Sequence, residues 1–186
     1  TTFLDHIAAT TRSALTFVEV ALALPEHVTR WPRRKWAQCT CRFKCAEAAL
    51  DYRHMGQFFT HTLFQRPELR GYEYVWRMDA NMGLTHPVPC DVFRVMRRQN
   101  AVFGFYAAQR TERPTCTGPI HSVADQYAHH HHFRPRHLDA VGPDRVMAYM
   151  GAFGVFKWSF FSSPTWLHWA DHVHQRGLAY SHRLGE

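Results

Sequence analysis

The chain has 186 residues, 46% hydrophobic and 15% aromatic, a composition that argues against disorder and suffices for one domain with a proper core. Twenty-two Lys and Arg against 15 Asp and Glu leave a net charge of +7 before any of the 15 His is protonated. That balance suits nucleic acid, an acidic membrane surface or a phosphate-bearing substrate without choosing among them, but no RNA-recognition or zinc-finger signature favours the first. No run of 18 apolar residues is present, so no membrane-spanning helix is expected, and the opening lacks a signal-peptide pattern.

In chain order, residues 1–24 run from a Thr-rich, helix-compatible stretch into Phe17-Val18-Glu19-Val20-Ala21-Leu22, which reads as a buried strand ended by Pro25. Arg33 to about Leu63 is mostly strong helix formers, with Trp36, Cys39, Phe43, Ala46 and Leu50 at near-helical spacing. Its basic opening, Arg30 to Lys35, is either a solvated charge run, the usual case, or a phosphate or nucleic-acid patch. Cys39, Cys41 and Cys45 fit no usual zinc spacing, so a structural role or a disulfide is the reading. Tyr72 to Met78, rich in Tyr, Val and Trp, predicts a strand that stops at Asp79-Ala80-Asn81. Such an acidic-polar triplet is either an ordinary turn or a place to hold a metal beyond the carboxyl end of a sheet.

Asp91 to Gln99 predicts a helix capped by Asp91, with Val92, Phe93 and Met96 as its apolar face and Arg97-Arg98 at its end. Val102 to Ala107 returns as a strand, and the alternation predicts an α/β sandwich. Residues 110–143, with Pro114, Gly118-Pro119 and the four His from 129 to 132, predict loops and weak helix. Ala152 to Trp158 predicts another strand. A helix then begins at Ser163-Pro164, carries Trp166, Trp169, Ala170 and Val173 on one stripe, and stops at Gly177.

The series Tyr52-Arg53-His54-Met55, Tyr72 to Arg77, Asp91-Val92-Phe93 and Asn100 to Phe105 resembles the core of the fungal glycolipid 2-alpha-mannosyltransferases of the KTR/MNT type. Their pattern runs Tyr-Arg-His-Met-x-x-Phe, Tyr-Tyr-Trp-Arg-x-Glu-Pro-Asp, Tyr-Asp-Val-Phe, then Asn-x-x-x-Gly-Phe. Pro25-Glu26-His27 with Trp31-Pro32, Phe160 to Ser163, and Arg183 to Glu186 extend the likeness at either side, and residues 108–148 resemble the family least.

The resemblance implies a GT-A-like α/β sandwich with a central mixed sheet flanked by helices, forming one partial glycosyltransferase domain over 1–186. It implies transfer of mannose from GDP-mannose to mannose-containing acceptors on glycoproteins or cell-wall mannan in the Golgi lumen, with manganese as cofactor and no nucleic acid as partner. The family's anchor, stem and first nucleotide-binding strand have no counterpart here, so the chain is expected to be a fragment, incomplete at both ends. Position by position, Asp79 matches the family's manganese carboxylate, one methylene shorter, and Asn81 replaces its second acid. Tyr52 matches the sugar-contacting Tyr, Arg53 and His54 stand where they can assist at the diphosphate, and Glu186 takes the place of a candidate catalytic base. Gly154 replaces a Glu proposed to act as nucleophile or to stabilise the sugar cation. The alternative implied by that loss is a catalytically inactive, glycan- or partner-binding domain.

Overall fold

The computed structural model describes residues 3–37, 49–80, 82–109, 114–136, 148–149 and 151–182. Its helices are α1 (Phe3–Thr10), α2 (Glu26–Thr29), α3 (Arg33–Ala37), α4 (Ala49–Gln57), α5 (Val92–Arg98), α6 (Pro114–His130), α7 (Trp158–Phe161), α8 (Pro164–Gln175) and α9 (Leu178–Ser181). The strands are β1 (Tyr74–Met78), β2 (Phe103–Phe105), β3 (Ala108–Gln109), β4 (Ala148–Tyr149) and β5 (Phe153–Lys157). None of the described helices is long and apolar enough to cross a membrane.

β5 lies between β1 and β2, and β3 pairs with β4 in a separate two-stranded ladder. The mixed sheet expected from the sequence is, among the described residues, antiparallel in every pairing. Its two faces follow from strand periodicity. Tyr74, Trp76 and Val155 point to one side, where Met96, Val92 and Phe93 of α5 cover them. Val75, Phe156 and Phe103 point to the other, against Phe64, Trp158, Phe161 and the α8 residues Trp166 and Leu167. The sheet is therefore sandwiched between helices, and both faces bury large aromatic side chains, the main driving force for this arrangement.

Local signals set the helix ends. Asp91 caps α5 by accepting from the Arg94 amide at 3.0 Å, and Ser163 caps α8 by accepting from the Trp166 amide at 3.2 Å with Pro164 following. Gly177, at φ +61°, ends α8 and begins α9, and a Cβ there would fall 2.2 Å from the Trp31 indole. Glycine is thus required twice over, by its backbone and by the ring beside it. Val28, Ala179 and Tyr180 form the cluster that this turn joins, with Trp31 and Leu50 packed on it.

Three expectations are corrected. Phe17–Leu22 joins no ladder among the described residues, and Phe17, Val18 and Leu22 are exposed. Strand-forming side chains make no strand without a partner backbone. Second, where loops and weak helix were expected across 110–143, residues 114–130 form α6, a 17-residue helix that contains Pro119. Val123, Tyr127 and Ala128 are its buried residues, and their near-helical spacing outweighs the Pro and Gly signals nearer its start. Third, of the helix expected from Arg33 to about Leu63, the described parts are α3 and α4, and α4 passes into a wider π-type turn over Phe58–Thr62. The three cysteines from 39 to 45, Asn81 and Glu186 lie outside the described residues.

Candidate functional site

At the end of β1 the chain places a charge on the covered face of the sheet. Arg77 is only 6% exposed, and its guanidinium lies over the Phe59 ring of the π-type turn, 3.5 Å from the centroid. Its Nε and Nη2 donate to Asp79 Oδ1 at 3.1 and 2.8 Å. Asp79 is held in turn by its backbone: its amide donates to the Ala152 carbonyl at 3.0 Å, and its carbonyl accepts from the Met82 amide at 2.9 Å. The Asp79 side chain keeps 23% of its surface, so this carboxylate meets solvent while its partner does not. The corner thus offers a fixed guanidinium and a fixed carboxylate at a strand end, beside an aromatic ring.

Tyr52 lies on α4 about two helical turns before Phe59 and is exposed. Its neighbours in the Tyr-Arg-His-Met series turn the other way. Arg53 is 2% exposed and donates through Nη1 to the Tyr180 carbonyl at 2.8 Å, across 127 residues of sequence. His54 Nδ1 and Tyr180 Oη share a hydrogen bond of 3.0 Å, with the rings edge to face. Burial lowers the His54 pKa, and burial pushes the Tyr180 phenol up to about 12. A cavity of about 70 Å³ opens beside them, bounded by His54, Gln57, Tyr180 and the segment from Val20 to Ala23. The series therefore divides: Tyr52 faces out, whereas Arg53 and His54 fasten α4 to α9.

Gly154 stands opposite Arg77 in the β1–β5 register and opposite Phe105 in the β5–β2 register. A Cβ there would lie 3.0 Å from Phe103 Cε2 and 3.4 Å from the Gly104 carbonyl oxygen. The space that a side chain at this position needs is therefore tight, and the nearest occupant is an aromatic ring.

Manganese does not find a complete set of ligands here. No group of three or more His, Cys, Asp or Glu able to hold a metal occurs among the described residues. Asp79 already pairs with a buried cation, which competes electrostatically with a second one. Arg77 is the site residue that sequence reasoning passed over. Its signal was available: a charge at an inward-facing strand position, with an acid two residues on.

The whole chain, residues 1–186, matches the family model described as glycolipid 2-alpha-mannosyltransferase. The Probable mannosyltransferase YUR1 of Saccharomyces cerevisiae is 32% identical over 111 residues, which are 54% of this chain and 25% of that protein. Glycolipid 2-alpha-mannosyltransferase 2 of Candida albicans is 23% identical over 147 residues, 73% of this chain and 31% of that one. Among solved structures, the Mn/GDP form of core-mannan synthase A (CmsA/Ktr4) from Aspergillus fumigatus superposes with a TM-score of 0.66 at 19% identity, covering 77% of this chain and 42% of its own. The S. cerevisiae mannosyltransferase Ktr4p in complex with GDP superposes with a TM-score of 0.63 at 14% identity, covering 83% and 47%. The chain thus spans less than a third of these curated relatives and less than half of these structures, and the superpositions bear out the GT-A-like α/β architecture. With its motifs in order, its whole length matched and its fold shared, this chain belongs to the glycolipid 2-alpha-mannosyltransferase family.

Proposed function

We propose that this chain contributes to α-1,2-mannosyl transfer from GDP-mannose to a mannose-containing acceptor in the Golgi lumen. The observation that carries the reading is the corner at the end of β1, where Arg77 and Asp79 are locked together beside Phe59. In the transfer, the bond between mannose C1 and the diphosphate breaks, a bond from C1 to the acceptor oxygen forms, and the acceptor proton passes to a base. The leaving diphosphate needs positive charge; Arg77 is itself out of solvent and acts by fixing the Asp79 carboxylate at the rim of the sheet. Tyr52 is the hydrogen-bonding group for the sugar, Arg53 and His54 act by holding α4 in place, and Glu186 is the proposed base.

Manganese is carried into this proposal by the Mn/GDP form of the Aspergillus relative, with Asp79, which matches the family's manganese carboxylate, as the residue that would hold it. Gly154 withholds the carboxylate that the family pattern places there, so turnover is expected to be roughly 10²-fold or more below that of a relative retaining it.

The test is calorimetric titration of the chain with GDP, with and without manganese, followed by transfer from GDP-mannose to methyl α-mannoside and assignment of the product linkage by NMR. Binding strengthened by manganese and an α-1,2 product support the proposal. Binding without product identifies a non-catalytic domain, and absence of GDP binding in both conditions removes the nucleotide-sugar reading.

A further inference from the structure

Helix α8 carries imidazoles on both of its flanks. On one flank, His174 stacks on His61 of the π-type turn with centroids 4.3 Å apart and planes within 8°. It also meets His27 of α2 edge-on at 4.9 Å, and His27 Nε2 donates to the His174 carbonyl at 3.0 Å. The carboxylate at hand, Asp171, accepts from His61 at 2.5 Å rather than from His174. His174 Nδ1 is buried with no partner among the described residues.

On the opposite flank, the His168 Nδ1 bonds to Tyr127 Oη of α6 at 2.7 Å, and the His131 ring lies 5.0 Å from His168. His172 packs 4.9 Å from the Tyr127 ring, and its Nε2 is likewise buried without a partner. The charged and titratable neighbours here are His130, His132 and Arg176, all of which oppose a further proton. Burial, then His61 and His27, lower His174 to about 4, and burial is also the first cause lowering His131 and His172. Neutral rings can stack and be buried in this way; charged ones would face other cations with nothing to satisfy their second nitrogen.

We propose that α8 is a pH-sensitive clamp, which on acidification lifts from the π-type turn and from α6 and draws α9 away from Arg53 and His54. The sign follows from proton binding. An undocked His174 takes its proton near the ordinary 6.5, whereas the docked one resists it down to about 4. Docking is therefore complete above pH 6.5 and weakens as the pH falls toward 4, because the undocked form binds more protons across that window. His174 alone should lower the ratio of docked to undocked α8 roughly twentyfold between pH 7 and pH 5. The clamp does not depend on sugar transfer.

Amide hydrogen exchange on the 186-residue chain, corrected for intrinsic rates, reads this directly at pH 7 and pH 5. Protection in α8 and α9 should fall about twentyfold relative to β5, and His174→Phe, which keeps a stacking ring without a proton to bind, should flatten that fall. Equal loss across α8 and β5, no loss at all, or unchanged pH dependence in His174→Phe would overturn the clamp. Should that variant not fold, the ring signals of the unaltered chain decide. A His174 that gains its proton near 6.5 while α8 stays protected also overturns it, and one that stays neutral to below pH 5 while α8 is docked supports it.

Discussion

Arg53 and Arg77 are both buried guanidinium groups, yet the two regions that hold them use the charge differently. Arg53 donates to a backbone carbonyl on α9, deep between helices, and so joins two distant pieces of chain. Arg77 is tied to a carboxylate two residues away that still meets solvent, at the rim of the sheet. The first is a fastening and the second an accessible charged corner. A short motif can therefore combine residues of quite different purpose: in Tyr52-Arg53-His54, the exposed phenol and the two buried groups divide those roles within one helical turn.

The sharpest way to break this distinction is to unseat α9. Gly177→Val combines a positive φ with the Trp31 clash, and should cost about 4 kcal/mol or abolish folding, as read by urea denaturation. Next in size, Arg53→Met leaves the Tyr180 carbonyl without its charged donor, and a loss of about 2–3 kcal/mol is expected in the same measurement. If Arg53→Met instead leaves stability intact, the fastening role fails.

Tyr180 supplies the alkaline counterpart. Its phenol is neutral in the fold up to about 12, against an ordinary 10, so its contribution is complete below pH 10 and disappears as the pH rises from 10 toward 12. The loss should be about 2 kcal/mol, visible in denaturation curves at pH 9 and 11.5, and Tyr180→Phe should remove it. Smallest in stability is Arg77→Met, at about 1 kcal/mol, because Asp79 can turn to water once its partner is gone. That variant should nevertheless lose about tenfold in GDP affinity measured with manganese, because Asp79 is no longer held in place, whereas Arg53→Met, where it folds, should bind GDP as the parent does.

Much of this was legible in the sequence wherever the signal is local. Asp91 before an apolar stripe, Ser163-Pro164 and Gly177 each act within a turn of their own position, and each marks the helix end it predicts. Tyr74 to Met78 is a strand because its aromatic and branched side chains find β5 in register. Phe17–Leu22 has similar side chains and no such neighbour, and nothing in its own composition reports that difference. α6 was hidden by Pro119 and Gly118, which speak for breaks, while Tyr127 draws its support from α8. At the site, the turn at Asp79 was readable, but the pairing of Arg53 and His54 with Tyr180 was not. Those contacts join residues 126 and 127 positions apart, with no trace in either segment alone.

The Gly177 turn has a consequence for biosynthesis. Trp31 seats beneath Gly177, and His27 reaches the His174 carbonyl across 147 positions. Closing so wide a loop carries an entropy cost that is repaid only once both sides are present, so this junction forms late in folding. On the ribosome, α2 emerges well before α8 and the Gly177 turn, and its packing surface exists only once they have been made. During that interval the indole of Trp31 has no Gly177 to sit on, and its apolar face stays open to water.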